Sequence, residues 1–267
     1  MTDIRQWLAA NADLPRLECE LLLRKALGFE RAQIIAHPEH AILEQELALL
    51  TPMVRRLREG TPLAYILGEV EFWDLTLNVS PDVLIPRPET ELLVELALNL
   101  AGKSAKVLDL GTGSGAIALA LAHERADLQI CASDLSASAL QMAQRNALAN
   151  DLNIEFAQGS WFEPFEAGRT WEIILSNPPY IAPGDPHLLN LTYEPTDALV
   201  ADNHGLADIE DIIRQSVGHM QPGGHLLIEH GYDQVEAVQS LFRQAGYNSV
   251  RSFNDLAGIA RATTGSI

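Results

Sequence analysis

A short motif of amide and aromatic residues, Ser176-Asn177-Pro178-Pro179-Tyr180, follows an apolar run that ends at Leu175. The asparagine side chain offers one carbonyl acceptor and two N–H donors. The prolines have no N–H of their own, so their carbonyls are left free to accept hydrogen bonds. The tyrosine adds a flat face with a polar tip. These residues could hold a planar, neutral –NH2 group under an aromatic ring, although a rigid turn after a strand would use the same residue types.

A glycine-rich loop lies upstream, within Val107-Leu108-Asp109-Leu110-Gly111-Thr112-Gly113-Ser114-Gly115. Glycines at alternate positions let the backbone turn sharply and approach a ligand that a Cβ would exclude. A helix-compatible run from Ala116 to Ala122 follows directly, and the start of a helix offers free N–H groups. After the next predicted strand, Asp134 could accept hydrogen bonds from the two hydroxyls of a ribose. The loop and this carboxylate together predict a nucleoside-containing cofactor.

Two cofactors fit this pattern. Gly111-x-Gly113-x-x-Ala116 satisfies the dinucleotide fingerprint, and Asp134 stands about where its ribose-binding acid is expected. Three details favour S-adenosylmethionine instead. Asp109 would suit the ammonium group of that cofactor, and Gly115 completes the Asp-x-Gly-x-Gly-x-Gly spacing typical of class I methyltransferases. The Asn177 motif also ends a later strand, where such enzymes place their acceptor site.

The composition is that of a soluble enzyme and argues against a nucleic-acid or membrane partner. The chain has 267 residues, of which 47% are hydrophobic, so a large core can form. Its 18 basic and 36 acidic residues give a net charge of −18, a poor surface for neutralising phosphates. No apolar run is long enough to span a bilayer, and the first residues do not resemble a secretory signal. We therefore expect a cytoplasmic protein, without a metal site because no histidines and cysteines pair at ligand spacing.

Three regions are predicted along the chain. Residues 1–72 form a small helical bundle with a core that we expect to include Leu14, Leu17, Leu21, Leu22, Leu47 and Leu50. Residues 73–88 form a connector, in which 73–79 alternate like one strand of a hairpin and a proline-rich stretch follows. Residues 89–267 alternate helix and strand, which favours a mostly parallel sheet with helices on both faces.

The predicted sheet has seven strands and is of the α/β, Rossmann-like type. The strands are expected at 106–110, 129–133, 154–157, 171–176, 225–229, 249–254 and 259–264, with Gly223-Gly224 as the turn before the fifth. Helices are expected at 89–101, 114–125, 136–149, 205–219 and 233–245. The last two strands have no helix between them and should form an antiparallel edge pair. Since ligands bind at the carboxyl ends of such strands, one crevice could contain both motifs.

From about Pro62 to its end, the chain resembles the bacterial N5-glutamine methyltransferases that modify the Gly-Gly-Gln loop of class I peptide release factors. Besides the two motifs, the resemblance rests on Pro62-Leu-Ala-Tyr65-Ile-Leu-Gly68, Phe72-Trp73, Leu84-Ile-Pro86-Arg87-Pro88-Glu89-Thr90-Glu91, Glu194-Pro195 and Asp255-Leu-Ala-Gly258. The Arg-Pro-Glu-Thr-Glu stretch narrows the match to this branch of the methyltransferases. The resemblance implies the class I methyltransferase fold, S-adenosylmethionine as cofactor and a release factor as protein partner.

The resemblance also implies roles for individual residues. The methionine and ribose parts of the cofactor would lie against Gly111, Thr112, Gly113, Ser114 and Gly115, with Asp134 on the ribose and Asn177 beside the methyl group. Trp161 would pack on the adenine, although a core aromatic is the alternative, and Gly159-Ser160-Trp161 lacks the Asp that many class I enzymes have there. Catalysis would depend on Asn177, Pro178 and Tyr180, and substrate binding on Asn177, Pro178, Pro179 and Tyr180.

Three other functions use similar residues. A methyltransferase acting on a glutamine of a ribosomal protein has the same chemistry, so it is the alternative that is hardest to distinguish from a release factor methyltransferase by sequence. A nucleic-acid methyltransferase acting on exocyclic amines would need a basic groove, which the net charge of −18 disfavours. A non-enzymatic cofactor-binding module would be expected to lose Asn177 or the glycines, and this chain retains both. We expect a monomer that binds no nucleic acid directly and has no membrane association.

Overall fold

The computed structural model describes residues 2–267, which form two compact units. The first unit ends at Glu69, and the second runs from Val70 to Ile267. We had placed the end of the helical region at residue 72. The division falls inside the first strand of a hairpin, so each unit is described separately.

The first unit is helical. Its helices are α1 (Ile4–Ala10), α2 (Arg16–Leu27), α3 (Arg31–Ala36), α4 (Glu44–Arg58) and α5 (Leu63–Leu67). Asp3 caps α1 by accepting the Gln6 N–H at 2.7 Å, and α2 ends at Gly28 in the left-handed conformation with φ 67°. The predicted helical bundle therefore corresponds to these five helices.

The core of the helical unit differs from the predicted one in one place. Leu22 and Leu50 are buried, but Leu17 is 52% exposed. Helix α2 buries Cys19, Leu22 and Leu23, which follow the i, i+3, i+4 spacing of one face. Leu17 lies off that face, so its assignment to the core was wrong. Three further predicted core residues are only partly buried: Leu14, Leu21 and Leu47.

The hairpin that follows consists of β1 (Glu69–Phe72) and β2 (Leu75–Asn78). We had predicted a strand over 73–79, but Trp73 lies in the turn with φ 55°. Its backbone N–H donates to Glu91 Oε1 at 3.0 Å and its indole N–H to Glu124 Oε1 at 2.6 Å. Both donors are occupied by carboxylates of other elements, so Trp73 ends the strand pattern.

The second unit is built around a seven-stranded sheet. Its strands are β3 (Lys106–Leu110), β4 (Gln129–Asp134), β5 (Glu155–Gln158), β6 (Trp171–Ser176), β7 (Met220–Glu229), β8 (Asn248–Asn254) and β9 (Ala260–Ser266). The order is β5-β4-β3-β6-β7-β9-β8, and the pairs are parallel except for β9, which is antiparallel to both β7 and β8. The predicted parallel sheet with an antiparallel terminal pair is confirmed.

Helices cover both faces of this sheet. They are α6 (Glu91–Leu100), α7 (Ala116–Glu124), α8 (Ala137–Ala149), the short α9 (Asp202–Gly205), α10 (Ala207–Ser216) and α11 (Val235–Gln244). One apolar core joins α6 and α7 to alternate strand residues such as Val107 and Ile173. A second core joins α10 and α11 to the intervening residues, such as Leu108 and Ile174. Strands buried on both faces are typical of parallel sheets.

Strand β7 begins earlier than predicted. Met220 already pairs with Trp171 of β6, and Gly223-Gly224 therefore lie within the strand rather than in a turn before it. A Cβ on Gly224 would stand 2.7 Å from Met220 Sδ and 2.9 Å from the Gln221 carbonyl oxygen. The two glycines thus serve close packing inside an irregular stretch of strand, which a turn-like dipeptide does not reveal.

The register of the central strands determines which residues lie side by side at the carboxyl ends of β3, β4, β6 and β7. Leu110 of β3 pairs with Ser133 of β4 on one side and with Ser176 of β6 on the other. Ser176 in turn pairs with Ile228 of β7, and its hydroxyl donates to the Leu110 carbonyl at 2.7 Å. The chain order reverses between β3 and β6, which is where ligands bind in sheets of this kind.

Candidate active site

One residue beyond these paired positions, four adjacent strands end in chemically active residues. They are Asp134 at the end of β4, Gly111 after β3, Asn177 after β6 and Glu229 at the end of β7. The two motifs singled out from the sequence therefore lie at the same edge of the sheet, on adjacent strands. Sequence reasoning had placed three of these residues in one crevice but had not included Glu229.

The glycine loop has the backbone that its sequence predicts. Gly111, Gly113 and Gly115 have φ angles of 69°, 57° and 87°, in the left-handed region that favours glycine. A Cβ on Gly115 would meet Leu119 Cδ1 at 2.7 Å and Ala143 Cβ at 3.1 Å, whereas one on Gly113 would meet nothing within 4 Å. Gly115 is thus required for packing under α7, and Gly113 lies beside open space that a ligand can occupy.

Asp134 supports the glycine loop directly. Its Oδ2 accepts the Gly113 N–H at 2.8 Å, and its Oδ1 accepts the Ser136 N–H at 2.9 Å. Burial raises the pKa of this carboxyl, and the two N–H groups lower it again. Each oxygen has a further lone pair, so the carboxylate could also accept the two hydroxyls of a ribose.

Asp109 is a buried carboxyl with one unused oxygen. Its Oδ2 accepts the Thr112 hydroxyl at 2.6 Å, while Oδ1 has no hydrogen-bond partner among the described residues. Burial raises the pKa of Asp109 to about 7, against the opposing effect of the Thr112 hydrogen bond. A cationic amino group from a ligand would satisfy Oδ1 and favour ionisation, so the ammonium of S-adenosylmethionine fits this position.

Trp161 lies at the border of the glycine loop. It follows β5, has the unusual φ of 42°, and its ring edge is close enough that a Cβ on Gly111 would be 3.3 Å away. Burial raises the pKa of Asp208 of α10 and a hydrogen bond from the Trp161 side chain lowers it, and the Trp161 ring packs partly against the second apolar core. The ring therefore packs on the core and also lies beside the glycine loop, and its packing on the adenine stays a prediction.

The Asn-Pro-Pro-Tyr motif is held in place by several elements. Asn177 Nδ2 donates to Thr90 Oγ1 at 3.1 Å, and Pro178 is buried. The Tyr180 carbonyl accepts Gln234 Nε2 at 3.0 Å, and a Cβ on Gly205 would stand 2.1 Å from that same carbonyl oxygen. Burial raises the pKa of the Tyr180 phenol, so this side chain is uncharged.

The loop after the motif is fastened to the proline-rich connector. Glu194 is buried, forms an ion pair with Arg87 and accepts the Ile85 N–H at 3.1 Å. The ion pair and the hydrogen bond identify Glu194 as an anchor between this loop and the stretch that leads to Thr90.

Three residues that hold the site were missed in the sequence. Thr90 accepts a hydrogen bond from Asn177, Glu229 lies beside Asn177 at the end of the neighbouring strand, and Asn146 of α8 links the connector to the glycine loop. Asn146 Nδ2 donates to the carbonyls of Asn78 at 3.0 Å and Ser114 at 2.9 Å. Thr90 belongs to the Arg-Pro-Glu-Thr-Glu stretch, and Glu229 is an acid at a strand end, so both had a visible signal.

Comparison with known proteins agrees with this arrangement. The family model described as methyltransferase small domain matches residues 88–192, and that of the PrmC N-terminal domain matches residues 2–68. The release factor glutamine methyltransferase of Coxiella burnetii is 44% identical over 97% of this chain and 94% of its own. That of Escherichia coli K12 is 45% identical over 95% of this chain and 93% of its own.

Solved structures support the same fold. A 16S rRNA methyltransferase of T. thermophilus in complex with AdoMet and guanosine superposes with a TM-score of 0.58 at 17% identity, covering 74% of this chain and 49% of that one. At that identity the likeness concerns the fold alone. The predicted class I methyltransferase fold and the predicted cofactor, S-adenosylmethionine, are confirmed. The near full-length identity to curated relatives, together with both family matches, shows that this chain belongs to the release factor glutamine methyltransferase family.

Proposed function

We propose that this chain transfers a methyl group from S-adenosylmethionine to the side-chain amide nitrogen of the glutamine in the Gly-Gly-Gln loop of class I peptide release factors. The observation that carries the proposal is the position of Asn177. It follows β6 directly, one residue beyond Ser176, which pairs with Leu110 of β3, so an amide that can recognise another amide lies beside the glycine loop. Membership of the release factor glutamine methyltransferase family supports the same acceptor.

The cofactor would lie across the ends of β3 and β4. The backbone of Gly111, Thr112, Gly113, Ser114 and Gly115 would line its methionine and ribose parts. Asp134 would accept the ribose hydroxyls, and Asp109 Oδ1 would accept the ammonium. Trp161 would border the adenine. When bound, S-adenosylmethionine supplies a methyl group on a sulfonium, an electrophile that a nitrogen lone pair can attack.

The acceptor amide needs orientation more than it needs a base. A glutamine amide nitrogen is a poor nucleophile because its lone pair is delocalised into the carbonyl. Asn177 Oδ1 and the Pro178 carbonyl would each accept one of its N–H groups, which orients the nitrogen and stabilises the positive charge that develops on it. Pro179 keeps the motif rigid, and Tyr180 packs against the amide plane. Orientation at a contact distance of about 3–3.5 Å can contribute ~7–11 kcal/mol, and one proton then leaves to water.

The remaining expectations concern partners and location. The helical unit up to Glu69 would recognise the release factor, and the second unit would bind the cofactor and perform the transfer. A net charge of −18 suits a basic protein surface better than a nucleic acid. We propose a cytoplasmic monomer that makes no direct contact with nucleic acid. Within residues 2–267 no helix is both long enough and apolar enough to cross a membrane.

The decisive experiment is transfer of labelled methyl from S-adenosylmethionine to purified, unmodified release factor. The Gln→Ala variant of its Gly-Gly-Gln loop, total tRNA, DNA and ribosomal protein serve as parallel acceptors. Label on the wild-type factor alone supports the proposal. Label on ribosomal protein would assign the same chemistry to a different protein acceptor, and label on nucleic acid would contradict the reading of the net charge.

A further inference from the structure

A buried carboxyl lies next to the acceptor motif and has no assigned role. Glu229 ends β7, and the register places it beside Asn177, because Ser176 pairs with Ile228 one residue earlier. The Glu229 residue is 2% exposed, and its Oε2 has no hydrogen-bond partner in the described part of the chain. A buried carboxyl oxygen without a partner is costly, and native structures keep such groups mainly where they serve a function.

The hydrogen bonds of Asn177 explain what this carboxyl can do. Asn177 Nδ2 has two N–H groups, and one of them is donated to Thr90 Oγ1 at 3.1 Å. Glu229 lies beside this amide on the neighbouring strand, and burial raises the pKa of its carboxyl while hydrogen bonding from the side chains of Thr90 and Asn177 lowers it. The NH2 end of Asn177 is therefore held by protein acceptors, which leaves Oδ1 as the end that remains for another partner.

We propose that Glu229 is a positioning residue for methyl transfer: together with the Thr90 hydroxyl, its carboxylate holds the Asn177 amide with Oδ1 facing the acceptor nitrogen. This inference rests on the proposed function. An ionised carboxylate is only an acceptor, so it attracts the NH2 end of Asn177 and repels the oxygen end. A flipped Asn177 amide would present its own N–H groups to the N–H groups of the substrate glutamine. The carboxylate excludes that orientation. The charge also polarises the Asn177 amide, which makes Oδ1 a stronger acceptor.

The protonation of Glu229 should then be visible in the rate. Burial raises the pKa of Glu229 to about 7, while Thr90, Arg261 and Asn177 oppose this rise and Glu89 adds to it. The other titratable groups around it are the Tyr180 phenol, whose pKa is raised, and His230, whose pKa is lowered by burial. Both stay uncharged near neutral pH. Orientation of Asn177 should therefore improve as the pH rises through about 7 and Glu229 ionises.

The same burial has an opposite effect on stability. A carboxyl whose pKa is raised in the folded protein stabilises it fully below the unfolded pKa, near 4.3 for Glu, and that contribution is lost as the pH rises through about 7. Replacing Glu229 by an uncharged isostere should remove this loss of stability at high pH. If Glu229 served only the structure, the variant would instead be less stable than wild type at pH 8. Stability against pH therefore separates the two roles without any activity assay.

The test compares two pairs of variants, one for the carboxylate and one for the hydroxyl. Glu229→Gln keeps an acceptor for Asn177 without the charge, and Glu155→Gln makes the same change at the exposed start of β5, away from the motif. Thr90→Val removes the hydroxyl that accepts from Asn177, and Thr90→Ser retains it. Single-turnover transfer to release factor is measured from pH 6 to 8 at saturating cofactor. Saturation matters because Asp109, whose pKa is also about 7, would act on cofactor affinity rather than on the transfer step.

We expect the wild-type rate to rise through pH 7 and the Glu229→Gln rate to be flat and about tenfold lower at pH 8, in line with the loss of one charged hydrogen bond. Its affinity for S-adenosylmethionine, measured by calorimetry, should stay within about twofold, and its thermal stability at pH 8 should equal or exceed wild type. Thr90→Ser should resemble wild type, whereas Thr90→Val should lose about tenfold in rate.

Several outcomes would overturn the inference. They are an unchanged rate and pH profile in Glu229→Gln, a parallel loss of cofactor affinity, and equal losses in Thr90→Ser and Thr90→Val. The Thr90 pair decides the question if Glu229→Gln does not fold. A wild-type enzyme that labels no release factor would contradict the proposed function, whereas an active wild type with an unaltered Glu229→Gln would contradict only this inference.

Discussion

The seven-stranded sheet has one edge where the parallel strands begin and an opposite edge where they end. The carboxylates at these two edges have opposite surroundings. At the edge where β4, β5 and β6 begin, Arg169 binds both oxygens of Glu155 at 2.9 and 2.6 Å, and Arg125 binds both oxygens of Asp127 at 2.7 and 2.9 Å. A groove of about 530 Å³ opens there, but Arg169 and Glu155 in its lining neutralise each other. At the opposite edge, where the strands end, Asp109 and Glu229 are buried, and neither carboxyl forms an ion pair with another of residues 2–267.

The difference is sharpest in the buried polar atoms. Among the described residues, the buried side-chain oxygens without a hydrogen-bond partner belong to Asp109, Ser133 and Glu229. All three lie in the last two positions of parallel strands, next to the glycine loop or the Asn177 motif. A buried unpaired polar atom lowers stability. Within residues 2–267 this cost therefore falls on one edge of the sheet, which indicates that this edge is built for a ligand and the other for the fold.

The largest expected effect is that of Asn177→Ala at the strand-end edge. It removes the acceptor proposed to orient the glutamine nitrogen, so kcat should fall by about 10²–10³, as for loss of one group that stabilises transition-state charge. The affinity for S-adenosylmethionine, measured by calorimetry, should change little. Asn153→Ala, in the groove at the other edge, is the matched control and should leave kcat unchanged. Equal loss of turnover and cofactor affinity in Asn177→Ala would refute the orienting role.

Asp134→Asn should have the next largest effect, and it should act on cofactor binding. An amide oxygen can replace only one of the two acceptors now bonded to Gly113 and Ser136, and the ribose hydroxyls lose a charged partner. We expect the dissociation constant for S-adenosylmethionine to rise about 10- to 100-fold, at ~1.5–3 kcal/mol for a hydrogen bond to a charged group. Asp151→Asn removes the same charge from an exposed position and should bind normally. A normal dissociation constant in Asp134→Asn would remove this carboxylate from the proposed cofactor site.

For Asp109 we expect a smaller effect, which concerns how the affinity for S-adenosylmethionine depends on pH. Because its pKa is raised to about 7, the carboxyl is largely protonated at pH 6 and must lose a proton to bind the ammonium. Affinity for S-adenosylmethionine should therefore rise roughly eightfold from pH 6 to 7.5 and fall again as the ammonium deprotonates above about 8. Asp109→Asn should abolish the rise. Methylthioadenosine, which lacks the ammonium, should show no rise with the wild type, and a rise with that ligand would contradict the assignment.

The sequence predicted one part of this edge well because its signals are local. The glycine loop, Asp109 and Asp134 lie on consecutive strand ends, where residue type and spacing within about 30 residues define the pattern. The Asn177 motif was equally visible because two prolines and a tyrosine after a strand restrict the chain strongly. The alternation of helix-like and strand-like segments also predicted the seven strands, although the start of β7 was misplaced at Gly223-Gly224. In the hairpin before the sheet, the predicted strand was misplaced at Trp73.

Thr90 and Glu229 stand out in the sequence by residue type and position, but their roles could not be predicted because these roles depend on neighbours in space. Glu229 is an acidic residue at the end of a strand, like several others in the sequence. Its proposed role depends on the register between β7 and β6, which places it beside Asn177. Thr90 is 87 positions from its partner Asn177, and no local pattern connects them. Likewise Leu17 looked like a core residue, and only the face chosen by Cys19, Leu22 and Leu23 shows that it is exposed.

The smallest effect should come from Glu155→Gln at the edge where the strands begin. The Arg169 hydrogen bond lowers the pKa of Glu155, so the pair stabilises the fold above the usual carboxyl range and loses that contribution as the pH falls. Since both side chains are more than a third exposed, we expect a loss of at most ~1 kcal/mol in the free energy of unfolding at pH 7. Denaturant unfolding at pH 7 and pH 3 measures it, and the difference from wild type should vanish at pH 3. The methyl-transfer rate and the affinity for S-adenosylmethionine should both equal wild type. A clear loss of either would mean that this edge also serves the reaction, and the contrast between a ligand edge and a fold edge would fail.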